Sequence, residues 1–175
     1  LEEKGIGFDV GVGKVPIVVG AVLFDLGVGS FKCRPDLKMG YRACEVANTD
    51  ILNQGNYGAG CGATVGKIRG QEYAMKGGIG SYSIKLDNGL IVSALIAVNA
   101  LGDVYENGKV IAGALNDKKT ETIDTYKLMK QGESKGGFSV DNTTIGIIAT
   151  NAKLTKAGCK KISQMGHDGY AKSIF

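Results

Sequence analysis

A domain of mixed α and β structure is predicted by three features of the chain. Continuous apolar runs, such as 15–19 and 90–98, read as buried strands. Segments near 35–51 and 155–165 space their apolar residues along one helical face. Glycine makes up 28 of the 175 residues, against a usual share of ~7%, with only two prolines and no G-X-Y period. That composition belongs to tight turns and close backbone approaches, not to collagen. Two sheet layers with helices outside, or one mixed sheet with helices on it, both fit the order of elements.

The elements follow from the N-terminal end. Leu1 to Gly5 reads as the last turn of a helix closed by a glycine cap. Val15–Val19 and Ala21–Phe24 are uninterrupted apolar runs, as expected of buried strands. Pro35 opens a helical stretch with Leu37, Tyr41, Cys44 and Ile51 on one face. Gly55 to Gly70 then holds six glycines in sixteen residues. Ile79–Leu86 alternates, Asp87-Asn88-Gly89 is a strong turn, and Leu90–Val98 returns as a buried strand, so a hairpin is expected. Val110–Leu115 reads as a further short strand. The segment 117–141 is polar, with a helical piece around Thr120–Met129 and then an exposed loop containing Gly132, Gly136 and Gly137. A strand follows Thr143, and Thr155 is placed to cap a helix carrying Cys159, Ile162 and Met165.

Several functional classes are set aside by composition. A net charge of +4, with lysines and arginines scattered from Lys4 to Lys172, makes no basic stripe for nucleic acid. No apolar run is long enough to span a membrane. Cys33, Cys44, Cys61 and Cys159 form no C-x-x-C pair, and the single histidine, His167, lies far from the first three. Buried or half-buried free thiols in a reducing, cytoplasmic setting are therefore expected, and no metal or organic cofactor is implied.

Three local patterns have bland alternatives. Gly60 to Lys67 has the look of a phosphate loop, but Cys61 stands where its first glycine belongs and Ile68 where Ser or Thr would hold Mg²⁺. A backbone packed near a substrate pocket is the better expectation. His167 would have to carry any Ser–His–Asp triad, and no G-x-S-x-G elbow accompanies it. Asn142-Thr143-Thr144 spells a glycosylation sequon, yet an apolar strand begins at once and nothing else points to secretion.

That boundary has a second reading. If the bond before Thr143 were cut, its new α-amine, with an ordinary pKa near ~7.7–8, would become a base beside its own hydroxyl. One cut would create nucleophile and base together. The competing reading is that Thr143 and Thr144 simply open a strand, which threonine favours.

Ten stretches together decide between these readings. They are Gly5–Gly11, Val15–Val18, Gly20–Gly29, Arg34–Asp36 with Gly40–Cys44, and Gly58–Lys67. They continue with Lys76–Gly80, Ala97–Val104, Asn142–Ala152, Leu154–Ala157 and His167–Gly169. On these the chain resembles the L-aminopeptidase/D-esterase-amidase family, which includes the β-aminopeptidases, over its whole length apart from 117–141.

The resemblance implies an α+β fold, a four-layer αββα sandwich similar to that of N-terminal-nucleophile hydrolases but with different connectivity. It implies a precursor that cleaves itself at Asn142–Thr143, with Thr143 as nucleophile and Asn99 as oxyanion donor. Residues 1–142 would then be an α-chain-like portion of one domain, ending in the exposed processing loop at about 117–141. Residues 143–175 would begin the β-chain-like portion. Short peptides, amides or esters would be the substrates, and a homo-oligomer the assembly. A second oxyanion donor, tyrosine in the family, falls where this chain has Phe24, leaving Tyr41 or a backbone N–H as substitutes. Both ends read as cuts through a larger protein: the resemblance implies strands and a helix before Leu1, and an assisting serine and glutamate beyond Phe175. No turnover is expected from these residues alone. An acyltransferase of the ornithine acetyltransferase type, or a non-catalytic relative, are the alternatives.

Overall fold

A computed structural model describes residues 1–133 and 142–175. The chain opens with a 3-10 turn, Glu2–Lys4, closed by Gly5 in the left-handed region at φ 64°. A short ribbon follows, β1 (Phe8–Asp9) antiparallel to β2 (Lys14–Val15). The buried strands expected over 15–24 do not form beyond Val15. Ile17, Val18, Val19 and Val22 are 73–91% exposed. Apolar character makes burial favourable, but burial needs a covering partner, and none lies over this stretch among the described residues.

Helix α1 (Leu37–Glu45) is capped by Asp36, whose carboxylate accepts from Met39 N–H at 2.8 Å. It was expected to open at Pro35 and begins two residues later, where Asp36 supplies the cap. The apolar face expected of it is uncovered: Leu37 is 85% exposed, and Ile51 lies outside the helix. The four cysteines are likewise exposed free thiols, not the buried ones expected.

Buried residues begin at Gly60, inside the glycine-rich run. The glycine-rich run makes tight 3-10 turns around β3 (Thr64–Val65), which pairs with β4 (Met75–Lys76). Its packing explains the glycines. Gly66 sits at φ 69°, and a Cβ there would lie 1.9 Å from Ala114 N. Gly66→Ala is expected to destabilise the fold by ~2–4 kcal/mol, combining left-handed strain with overpacking against backbone. A thermal melt followed by circular dichroism checks this; an unchanged midpoint would contradict it.

The expected hairpin is present: β5 (Gly78–Lys85) pairs with β6 (Ile91–Val98) from Gly78↔Val98 to Lys85↔Ile91. Gly89 at φ 84° donates to Leu86 O, which is the turn that Asp-Asn-Gly favours. The chain continues through β7 (Val104–Glu106) and β8 (Lys109–Ala112), a bulged ribbon in which β7 was not anticipated. Next comes α2 (Thr125–Lys130), capped by Asp124 and shorter than the helix expected at 120–129. Gly136, Gly137 and Asp141 lie outside the described residues, as does the exposed loop expected there.

After that segment, β9 (Ile145–Thr150) joins the far edge of β6, giving an antiparallel sheet of order β5-β6-β9. Asn151 locks the end of β9 to the hairpin, accepting from Ile91 N–H at 2.8 Å and donating to Gly89 O at 3.0 Å. Helix α3 (Lys156–Ser173) is capped as expected by Thr155, which accepts from Gly158 N–H at 3.1 Å. It lies over one face of the sheet and runs unbroken through its glycines. Between helix and sheet is a cavity of about 700 Å³ lined by Ile96, Val98, Ile148, His167 and Tyr170.

The best-buried region lies elsewhere, around β3 and the loop after β6. Ala63, Val65, Ile68, Ala97, Ala100 and Ala114 are buried there, together with the polar Thr64, Lys67, Asn99, Asp103 and Thr125. Polar side chains this deep need partners.

Candidate functional site

The register of the sheet brings the two candidate site residues together. β6 and β9 pair as far as Ala97↔Ile145, and two residues further the same count sets Asn99 opposite Thr143. The ladder does continue: Thr143 N–H donates to Asn99 O at 2.8 Å. Side chains alternate along extended chain, so Thr143 shares a sheet face with Ile145, Ala97 and Asn99. Thr144 faces the opposite way, into the cavity under α3.

Asn99 is 1% exposed and tightly held. Its Oδ1 accepts from Thr64 N–H at 3.0 Å and from Lys67 Nζ at 2.8 Å, while its Nδ2 donates to Phe24 O at 2.9 Å. A flipped amide would set N–H₂ against two donors, so the network fixes which way the group points. Lys67 Nζ also donates to Asn142 Oδ1 at 3.1 Å. One buried lysine therefore joins the candidate oxyanion donor to the residue preceding Thr143. Beside them is a cavity of about 140 Å³ bounded by Phe24, Asp25, Gly62, Thr64, Lys67 and Gln71. Gly62, Thr64 and Lys67 of the glycine-rich run thus line a small pocket.

The loop from Asn99 is anchored along its length. Gly66 N–H donates to Gly102 O at 2.9 Å and Lys67 N–H to Leu101 O at 2.8 Å. Asp103, fully buried, accepts at Oδ1 from Ala114 N–H (2.9 Å) and Thr125 Oγ1 (2.6 Å), and at Oδ2 from Thr125 N–H (2.6 Å). Burial pushes its carboxyl above the usual range, and these hydrogen bonds oppose the shift.

Next to it, Tyr105 packs edge-on against Phe175, ring centroids 5.0 Å apart. Burial, with the Asp124 carboxylate alongside, pushes its phenol up to about 12. The native state then holds that proton more tightly than the unfolded chain, which releases it near ~10. Stability should fall as pH rises from about 10 through about 12. In a phenolate absorbance titration Tyr105 should ionise late, and replacing it by Phe should remove that late step; a titration unchanged by the replacement would refute this.

Other candidates are not brought to this place. Phe24 contributes its main-chain carbonyl, and its ring is 40% exposed. Tyr41 OH donates to Glu3 Oε2 at 2.9 Å on the exterior, which raises its pKa. His167 lines the cavity under α3, on the sheet face away from Asn99, with its ring 5.7 Å from that of Tyr170. Sequence reasoning missed Lys67 and Asp103. Lys67 was visible only as the end of a failed phosphate loop, and Asp103 carried no local pattern. Among the described residues, no group of three or more His, Cys, Asp or Glu is placed to hold a metal, and no helix is long and apolar enough to cross a membrane.

Comparison with known proteins places the chain in a family. The chain is 38% identical over 189 residues to an uncharacterized aminopeptidase of Mycobacterium leprae, covering 99% of this chain and 49% of the relative. It is 40% identical over 185 residues to one of Mycobacterium tuberculosis, covering 99% and 50%. A 6-aminohexanoate-oligomer endohydrolase of Paenarthrobacter ureafaciens is 24% identical over 168 residues, covering 94% and 47%. The chain thus spans about half the length of the curated relatives it matches. Residues 8–175 match peptidase family S58, and the chain belongs to that family.

Proposed function

We propose that this chain carries the nucleophile and oxyanion site of a self-processing amide hydrolase of the L-aminopeptidase/D-esterase-amidase type. The observation that supports this most is the continued β6–β9 ladder, with Thr143 opposite Asn99 and Lys67 bridging Asn99 to Asn142. In maturation, Thr143 Oγ attacks the carbonyl carbon of Asn142 and the C–N bond to Thr143 breaks. The acyl group is left as an ester on Oγ and the nitrogen becomes a free amine. Water then hydrolyses the ester, releasing the carboxylate of Asn142 and an N-terminal Thr143.

In turnover the new amine takes the hydroxyl proton while Oγ attacks the substrate carbonyl. The leaving group departs, and water resolves the acyl-enzyme. Asn99 Nδ2 donates to the developing oxyanion, and Lys67 holds Asn99 in the orientation this needs.

Short peptides, amides and esters are the proposed substrates, consistent with the aminopeptidase and endohydrolase names of the relatives. In the full-length protein the proposed architecture is a four-layer αββα sandwich assembled as a homo-oligomer. Residues 1–142 form the α-chain-like portion with the processing loop at about 117–141, and residues 143–175 open the β-chain-like portion. The exposed apolar residues at 17–22 and on α1 fit a chain whose covering partners lie elsewhere in that assembly. The four free thiols fit a reducing, cytoplasmic compartment.

N-terminal sequencing of the full-length protein tests the reading, with two chains expected and the smaller beginning at Thr143. A single intact chain with no amide hydrolysis would favour a non-catalytic relative, and acetyl transfer to an amine in place of hydrolysis would favour the acyltransferase alternative.

A further inference from the structure

We propose that the Asp25 carboxylate anchors a protonated amine on the acyl side of the substrate, and so selects aminoacyl amides over uncharged ones. This deepens the reading of the site as that of an amide hydrolase and rests on it. Asp25 follows Phe24, whose carbonyl accepts from Asn99 Nδ2 at 2.9 Å. Its main chain is fixed by a turn, with Val28 N–H donating to Asp25 O at 2.9 Å. The side chain is half-buried, and among the described residues it makes no hydrogen bond or ion pair. A carboxylate partly withdrawn from water is costly without a partner, and a cation carried by a ligand removes that cost.

Asp25 belongs to the small cavity beside Asn99, which Phe24, Gly62, Thr64, Lys67 and Gln71 also line. Three of these, Phe24, Thr64 and Lys67, are hydrogen-bonded to Asn99. Gly62 makes room for the carboxylate, since a Cβ there would collide with Asp25 Oδ2. At about 140 Å³ the cavity is several times the ~30 Å³ share of one water, which is room for a short aminoacyl group.

The charges around the cavity fit such a group. Lys67 Nζ is turned to Asn99 Oδ1 and Asn142 Oδ1, so the cation stands beside the oxyanion donor and the anion stands apart from it. An aminoacyl amide matches this arrangement, with its carbonyl oxygen toward Asn99 and its ammonium toward Asp25. A metal ion does not match it, because a divalent cation takes several oxygen ligands. Among the described residues, no group of three or more His, Cys, Asp or Glu is placed to supply them. A primary ammonium needs only one carboxylate. An analogue without the amine would leave Asp25 unpaired, and sites built around a polar substrate group reject analogues that lack it.

The test uses matured full-length protein, its two chains confirmed by intact mass. Alanyl and β-alanyl p-nitroanilides are compared with propionyl p-nitroanilide, which lacks only the amine. Wild type should prefer the better aminoacyl substrate in kcat/KM by about 10–100-fold, the range of one charge-assisted hydrogen bond. Asp25→Asn should bring that preference to within about threefold. The change should lie chiefly in a raised KM for the aminoacyl substrate, because the ammonium takes no part in bond making. If Asp25→Asn does not mature, Asp25→Ser is read in its place, and the wild-type comparison stands without either.

Wild type that hydrolyses the propionyl amide as well as the aminoacyl amides, or turns over neither aminoacyl amide, overturns the anchor. So does an Asp25→Asn variant that keeps the wild-type preference, or one that loses kcat equally on all three substrates. Any of these results in protein that cleaves itself at Asn142–Thr143 removes the anchor alone. Wild type that never cleaves overturns the parent reading along with it.

Discussion

Thr143→Ala is expected to leave the full-length protein as one uncut chain with amide hydrolysis lowered on the order of 10⁴–10⁶-fold, as when a nucleophile is lost elsewhere. Two functions disappear with one oxygen: the attack that breaks the Asn142–Thr143 bond and the attack on substrate. The fold should survive. Thr143 is held to the sheet through its N–H to Asn99 O, which alanine retains. The measurement pairs intact mass with a melting curve. An alanine variant cut at the same place would assign the chemistry to another residue, whereas Thr143→Ser should restore cleavage.

The second large effect is expected at the Asn99–Lys67 pair. Asn99→Ala removes the oxyanion donor, and Lys67→Met removes the donor that holds Asn99 Oδ1 at 2.8 Å. Each should lower kcat by about 10²–10³, the usual consequence of losing one oxyanion-hole donor. The double variant should cost little more than either single one, because the two act as a unit and not as independent sites. Methionine keeps most of the stem volume of Lys67, and Thr64 N–H still pairs with Asn99 Oδ1. A loss of activity caused by unfolding would therefore show as a lowered melting midpoint. Multiplicative effects in the double variant would instead make Lys67 an independent contributor, touching substrate itself.

What could be read locally was read well where the physics is local. The Asp87-Asn88-Gly89 turn needs φ > 0 at Gly89, and Thr155 supplies an oxygen to a free helix N–H, so both elements are visible in a few residues. The runs at 15–24 and the face of α1 went the other way. Their apolar character is real, but whether a strand or helix face is buried depends on what covers it. Ile17 and Leu37 show that composition cannot supply the cover. The strand β7 escaped notice because its partner β8 and the bulge between Val104 and Tyr105 break the alternation that would signal it.

The candidate site was legible in a different way. Thr143 and Asn99 were singled out by family resemblance, since the local pattern at 142–144 favours a plain strand opening. Lys67 reads from its neighbours as the end of a degenerate phosphate loop. Its hydrogen bonds reach 32 residues to Asn99 and 75 to Asn142. Asp103 binds Thr125 across 22 residues, with nothing in either local pattern to announce it.

The order of residues alone was enough to establish the turn at 87–89, the hairpin it joins and the Thr155 cap, because these depend on side chains a few positions apart. Which side chains meet was a matter for the folded chain. The sheet register sets Thr143 opposite Asn99, and a slip of one residue would have turned Thr143 toward α3 and away from Lys67. Buried polar groups must also find partners wherever the backbone brings them. Lys67 and Asp103, unremarkable in the sequence, are therefore each held by several hydrogen bonds in the buried region around Asn99.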